Sequence, residues 1–160
     1  MVYFTSDLHI SHKGIIKFRD RFKTAEEHDE YMFSKIEALS KRDILMVLGD
    51  FIFDSEDYDK VIERLSKVEC RIKLVMGNHD SRELYKEDCV EMQLPLYSYK
   101  NMWISHCPIH PQEMRGRIGN CHGHLHLEKL DDPRYFNVNI DVNDYEFVKL
   151  DTIKEHFKNI

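Results

Sequence analysis

A chain of 160 residues, 42% hydrophobic and 32% charged, is long enough to bury a full hydrophobic core, and residues 1–160 read as one domain. The formal net charge of −6 argues against a broad nucleic-acid-binding face; it leaves phosphate-bearing substrates open, because bound divalent cations would reverse the local sign. No apolar stretch approaches the roughly 20 residues that span a bilayer, and Met1 leads straight into a strand with no basic, cleavable leader, so a cytoplasmic location without a membrane partner is expected. Cys70, Cys89, Cys107 and Cys121 stand far apart without a Cys-x-x-Cys pair, which points to reduced thiols rather than structural zinc.

Val2 to Ser6 is the first predicted strand, with Asp7 to Ser11 as its exit loop. From Lys13 to Lys23, the cations Lys13, Lys17, Arg19, Arg21 and Lys23 alternate with Ile15, Ile16, Phe18 and Phe22. That pattern suits a short amphipathic helix or irregular segment clamped on the core, with several cations exposed. Thr24-Ala25-Glu26-Glu27 has the form of a capping box, in which two side chains satisfy free backbone N–H groups at a helix start. The helix is expected to run to about Ser40, with Met32, Ile36 and Leu39 on one buried stripe. Ile44 to Leu48 is a strand, Asp57 to Lys67 a helix with Val61, Ile62, Leu65 and Val68 on one face, and Arg71 to Met76 a strand. Strand, helix, strand, helix, strand implies parallel pairing through helical crossovers. After a short helical piece near Arg82 to Glu87, the runs Val90 to Tyr99, Asn101 to Ser105, Gly119 to His122 and Tyr135 to Asp141 read as strands of a second sheet. Asp151-Thr152-Ile153-Lys154-Glu155 starts a final short helix with another Thr-x-x-Glu signature. The fold class expected is α/β, a two-sheet α/β sandwich flanked by helices.

Polar residues gather where the predicted strands end: Asp7-Leu8-His9, Gly49-Asp50, Gly77-Asn78-His79-Asp80, Ser105-His106 and Gly123-His124-Leu125-His126. Asp7 and His9 are two apart in an extended loop, as are His124 and His126, so each pair projects to one side and can grip one site. Two metals held about 3.5 to 4 Å apart need a shared ligand, and an Asp, with two oxygens on a short arm, suits that task. A lone His beside apolar residues is ordinarily a packed core residue, and Gly-Asp after a strand is often only a turn. One polynuclear metal site, drawing on all five strand ends, accounts for the set better.

With these five blocks in order from residue 7 to residue 126, the chain resembles the calcineurin-like metallophosphoesterase superfamily. The resemblance implies a metallo-dependent phosphatase-like fold and a dinuclear, metal-dependent phosphoesterase. Asp7, His9 and His126 would hold one metal, Asn78, His106 and His124 the other, and Asp50 would bridge. His79 matches the family's catalytic His beside the leaving-group oxygen, and Asp80 would orient its imidazole through a hydrogen bond. The two divalent ions are expected to be Mn²⁺ first, with Fe²⁺, Zn²⁺ and Ni²⁺ as the other choices.

A phosphate-ester substrate follows, diester or monoester, with a nucleotide or oligonucleotide among the options and the oligomeric state left open. The compact chain and its opening Asp-x-His-x-x-His-Lys resemble small bacterial or phage phosphoesterases. The alternatives are nuclease-type processing of nucleic-acid ends, which the acidic total disfavours, and a non-catalytic scaffold, which would lack ligands that are present here. Arg115 and Arg117 are candidates for a phosphate clamp, against an ordinary solvated loop, and Arg19 and Arg21 for substrate contact, against a charged helix face. His122 is read as a non-ligand, since the register of Gly123-His124-x-His126 favours its neighbours.

Overall fold

A computed structural model describes residues 1–158 and 160. Two sheets form its centre. The first contains β1 (Val2–Thr5), β2 (Ile44–Leu48), β3 (Arg71–Val75), β4 (Glu91–Met92) and β9 (Val148–Lys149), in the order β4-β3-β2-β1-β9. β1 to β4 run parallel and β9 is antiparallel to β1. The second contains β5 (Leu96–Tyr99), β6 (Met102–Ser105), β7 (Asn120–His122) and β8 (Tyr135–Asn137) in sequential order, antiparallel only between β5 and β6. Helices α1 (Ala25–Glu37), α2 (Tyr58–Leu65) and α3 (Leu150–Lys158) complete the expected α/β arrangement of two sheets and flanking helices. Among the described residues no helix is long and apolar enough to cross a membrane.

The central strand β2 is apolar along its whole length, because both faces of the first sheet are covered there, whereas β3 nearer the edge carries Arg71 and Lys73. Leu45, Val47, Ile72 and Leu74 pack on one side with Met32, Ile36, Val61 and Leu65 of α1 and α2. Phe4, Met46, Leu48 and Val75 face the other way, onto Ile104, Cys121, Val138 and, from α3, Ile153 and Phe157. Burying these two layers fixes the strands, and fixed strands hold their C-terminal ends at one edge.

Three expectations need correction. Val90 to Tyr99 is not one strand: β4 ends at Met92, and β5 begins in the other sheet at Leu96. Pro95 between them has no N–H for a ladder, so the chain changes sheets there. Tyr135 to Asp141 is a strand only to Asn137; the Asn139 side chain then accepts the Asp141 N–H at 2.8 Å and caps a 3₁₀ turn, Ile140–Val142. The last helix starts at Leu150, so Thr152-x-x-Glu155 lies inside its first turns rather than ahead of them.

The box at Thr24 does cap a helix. Its hydroxyl accepts the Glu27 N–H at 3.1 Å, while the Glu27 carboxylate reaches one residue further back, to the Lys23 N–H at 2.8 Å.

Candidate metal centre

The parallel ladder does not stop at the strand ends. The Asp7 N–H donates to the Gly49 carbonyl, the His9 N–H to Asp50 and the Ile10 N–H to Phe51, at 2.9, 2.9 and 3.0 Å. This zipper sets Asp7 and His9, after β1, in register with Asp50, after β2. Asp50 Oδ1 accepts the His79 N–H at 2.9 Å, which docks the loop after β3. From the second sheet, Asp7 Oδ2 accepts the His124 N–H at 2.9 Å. Four loops from two sheets are thereby joined through Asp7, His9, Asp50, His79 and His124.

Among the described residues three groups of donor atoms result, each with all atoms within 4.8 Å of one another: Asp7, His9 and His126; Asp7, Asp50 and His106; and His106, Cys107 and His124. Asn78 joins them through its Oδ1, 3.0 Å from His106 Nε2. His9 Nε2 lies 3.8 Å from Asp50 Oδ2, and His106 Nε2 lies 3.5 Å from Asp50 Oδ1, so Asp50 stands between both sides. All seven residues named for metal binding are therefore drawn into one cluster. Cys107 is an additional donor that the sequence reading passed over; its adjacency to His106 in Ser105-His106-Cys107-Pro108 was the available signal.

A divalent ion fits this cluster. Asp7 Oδ1 and His9 Nε2 are buried without a hydrogen-bond partner, an expensive state for a carboxylate oxygen and an imidazole nitrogen unless a cation satisfies them. Several rings present the correct nitrogen. His106 Nδ1 lies 2.7 Å from the Leu48 carbonyl, which can only accept, so this nitrogen carries the proton and Nε2 faces the cluster. His126 Nδ1 likewise donates to Asp141 Oδ2 at 2.9 Å. Burial pulls His9 down and keeps its ring neutral. Burial opposes charge on Asp50 too, but its hydrogen bond to His106 and the nearby His charges outweigh that and hold its carboxyl low. For His106 burial is outweighed in turn by Asp50 and Asp7, which raise it; a bound cation would replace that proton. Mixed imidazole, carboxylate and amide donors suit a divalent transition metal.

The remaining named residues divide. His79 is exposed beside the cluster, its ring centroid 5.7 Å from that of His9. Asp80 does not serve that ring. Its two oxygens accept the backbone N–H groups of Asp50, Phe51, Ile52 and Gly77, at 2.9, 2.6, 3.0 and 2.8 Å, so it ties the β2 and β3 loops together.

Arg19, a candidate for substrate contact or for a charged helix face, is instead 1% exposed. It donates to the Asp7 and Leu8 carbonyls at 2.5 and 3.1 Å, and pairs with Asp141 through Nε at 2.7 Å. It supports the first metal loop from beneath. Asp141, missed in the sequence, thus links Arg19 to His126. Arg21 stacks on Tyr31 and Tyr145, 4.6 and 5.1 Å from their ring centroids. Arg115 pairs with Glu113 at 2.8 Å, and Arg117 lies over Trp103 at 5.4 Å. None of Arg21, Arg115 and Arg117 is among the described residues lining the groove beside the cluster. His122 donates to the Gly123 carbonyl at 2.8 Å and is in none of the donor groups.

Comparison with known proteins agrees with this geometry. A family model described as calcineurin-like phosphoesterase matches residues 1–159. An uncharacterised protein of Methanocaldococcus jannaschii is 29% identical, across 95% of this chain and 88% of its own. A protein named as a probable cyclic nucleotide phosphodiesterase of Coxiella burnetii is 30% identical, over 56% of this chain and 35% of its own. A crystal structure of an Aquifex aeolicus protein of unknown function superposes with a TM-score of 0.76 at 25% identity, covering 97% of this chain and 98% of that one.

Proposed function

Because the chain belongs to the calcineurin-like phosphoesterase family, we propose that it hydrolyses phosphodiesters, and monoesters less well, with two divalent cations, Mn²⁺ first among them. The observation that carries this reading is the gathering of seven donor residues, Asp50 central among them, with Asp7 Oδ1 and His9 Nε2 buried and otherwise unpartnered. Asp7, His9 and His126 would hold one cation, and Asn78, His106 and His124 the other, with Asp50 shared. When bound, such a pair supplies an acidified water as nucleophile and positive charge opposite the phosphoryl oxygens.

The chain's own residues do the rest. Asp50 fixes the His79 main chain by accepting its N–H, which roots the ring beside the cluster. Exposed and free to meet substrate, His79 gives a proton to the departing oxygen. Asp141 holds His126 in the tautomer that presents Nε2, and Arg19 holds the carbonyls on which the Asp7 loop rests.

The test is hydrolysis of bis-p-nitrophenyl phosphate and p-nitrophenyl phosphate by chelator-stripped protein, before and after Mn²⁺ is restored. Metal-dependent turnover with the diester preferred is expected; no turnover of either with two metals bound per chain would sink the reading. His79→Asn should keep its metal and lose roughly 10² to 10⁴ in turnover, and an unchanged rate would remove His79 from the chemistry.

A further inference from the structure

A groove of about 870 Å³ opens beside the cluster, with His9 and His79 at its inner end. Its walls carry Phe18, Leu125, Leu127 and Tyr145. Two of these side chains are left in water: Phe18 is 78% exposed and Leu127 71%. Such exposure is an unfavourable resting state for large apolar groups gathered at one cleft, and apolar patches at clefts mark places where something docks.

Both side chains stand on pinned backbone. The Phe18 N–H donates to the Ile15 carbonyl at 2.9 Å, closing the turn that carries it. Around Leu127, the Asn137 amide donates to the carbonyls of His126 and Glu128, at 3.2 and 3.1 Å. Little ordering cost would remain for a ligand that fills the space between them.

Charge narrows the occupant further. No lysine or arginine is among the groove's described lining residues, whereas Asp20, Glu128 and Asp141 are. A second phosphate in the groove would find no fixed cation on its walls and would face three carboxylates, of which Asp141 is paired with Arg19.

We propose that this groove seats a flat, uncharged substituent of the phosphate ester, an aryl or nucleobase-like group held between Phe18 and Leu127. The proposal rests on the phosphoesterase reading and narrows it to compact diesters bearing one such group, excluding polyphosphates and chains that would lay a further phosphate there.

Calorimetric titration of Mn²⁺-loaded protein with two non-hydrolysable anions, phenylphosphonate and methylphosphonate, tests it without turnover. The phenyl compound is expected to bind about tenfold more tightly, a difference typical of one well-placed aromatic contact. Phe18→Ala and Leu127→Ala, both at exposed positions, should each bring that ratio down toward unity while melting curves confirm folding. A carboxylate at the para position of the phenyl ring should weaken binding, since it approaches Asp20 and Glu128. Equal affinities in the parent protein, a ratio that survives both substitutions, or tighter binding of the carboxylated compound would each overturn the proposal. A phenyl preference with no ester hydrolysed would instead leave the groove standing and remove the phosphoesterase reading; hydrolysis without the preference would do the reverse.

Discussion

Asp7, His9, Asp50, His124 and His126 all adopt positive φ, at 57°, 51°, 52°, 68° and 48°. Left-handed backbone costs a residue with a Cβ on the order of 1 kcal/mol or more, so five candidate ligand residues held there need a surrounding that leaves no alternative. Glycines supply part of it. A Cβ on Gly49 would collide with the His106 ring, one on Gly77 with the carboxylate and backbone nitrogen of Asp50, and one on Gly123 with Ser6 and Asp7. The ligands pack directly on bare backbone. Gly77→Ala is therefore expected to push Asp50 aside, costing about 1 to 3 kcal/mol from overpacking, and to lower metal content and turnover together. Gly116→Ala is the control, because its Cβ would meet nothing within 4 Å; it pays only for a φ of 79° and should keep its metal. Metal analysis and unfolding curves for the pair decide the point. Equal metal content in both variants would show that close packing at Gly77 does not hold the site.

At the scale of elements, the loop after β1 rests on a buried network that reaches α1. Arg19 Nη1 meets His28 Nε2 at 2.7 Å, and since a guanidinium only donates, that nitrogen accepts. His28 Nδ1 then donates to Asp29 at 2.8 Å, and Asp29 accepts the Ser11 N–H at 2.9 Å. Removing Arg19 takes the counter-charge from Asp141, which keeps its bond from His126, and strips two loop carbonyls of their donor. Arg19→Met is expected to cost about 3 to 5 kcal/mol in urea unfolding, the range for one partner of a buried pair. Arg19→Lys should rescue little, lacking the fork that serves two directions. A loss below about 1 kcal/mol in Arg19→Met would mean the loop stands without this support.

This network also shows where sequence stops being informative. The Thr24 cap is legible because its partner is three residues away, and the ligand blocks are legible because each lies at the end of an apolar run. Arg19 looks like any cation in an amphipathic stretch; its counter-charge, Asp141, is 122 positions distant, and only the packing of the two sheets brings them together. Asp80 misleads for a related reason. Its neighbour in sequence is His79, but its backbone N–H partners lie mostly in the loop after β2. The break at Pro95 was written in the chain and needed only the rule that a residue without an N–H cannot continue a ladder.

For the whole molecule, the consequence of this topology is that a cation would clamp two sheets that otherwise meet through apolar packing and a few hydrogen bonds, among them His124 to Asp7 and His106 to Leu48. Asp7, His9, Asp50 and Asn78 follow strands of the first sheet; His106 and His124 follow β6 and β7 of the second. A metal held by these donors would need both sheets in place and would stabilise by mass action, by about 2.7 kcal/mol at a free concentration one hundredfold above Kd. For a chain of this size that corresponds to a rise in Tm of roughly 5 to 10 °C, from about 2 to 4 °C per kcal/mol. Asp50→Asn, which weakens the ligand proposed to be shared, should keep only a fraction of the rise. Hydrogen exchange locates the effect: chelation should loosen amides at the ends of β2 and β3 and, to a similar extent, those of β6 and β7. Loosening confined to the first sheet would place the cation on Asp7, His9 and Asp50 without the second sheet's histidines. No change in either sheet, with metal shown to be bound, would mean that the ion sits on donors other than these.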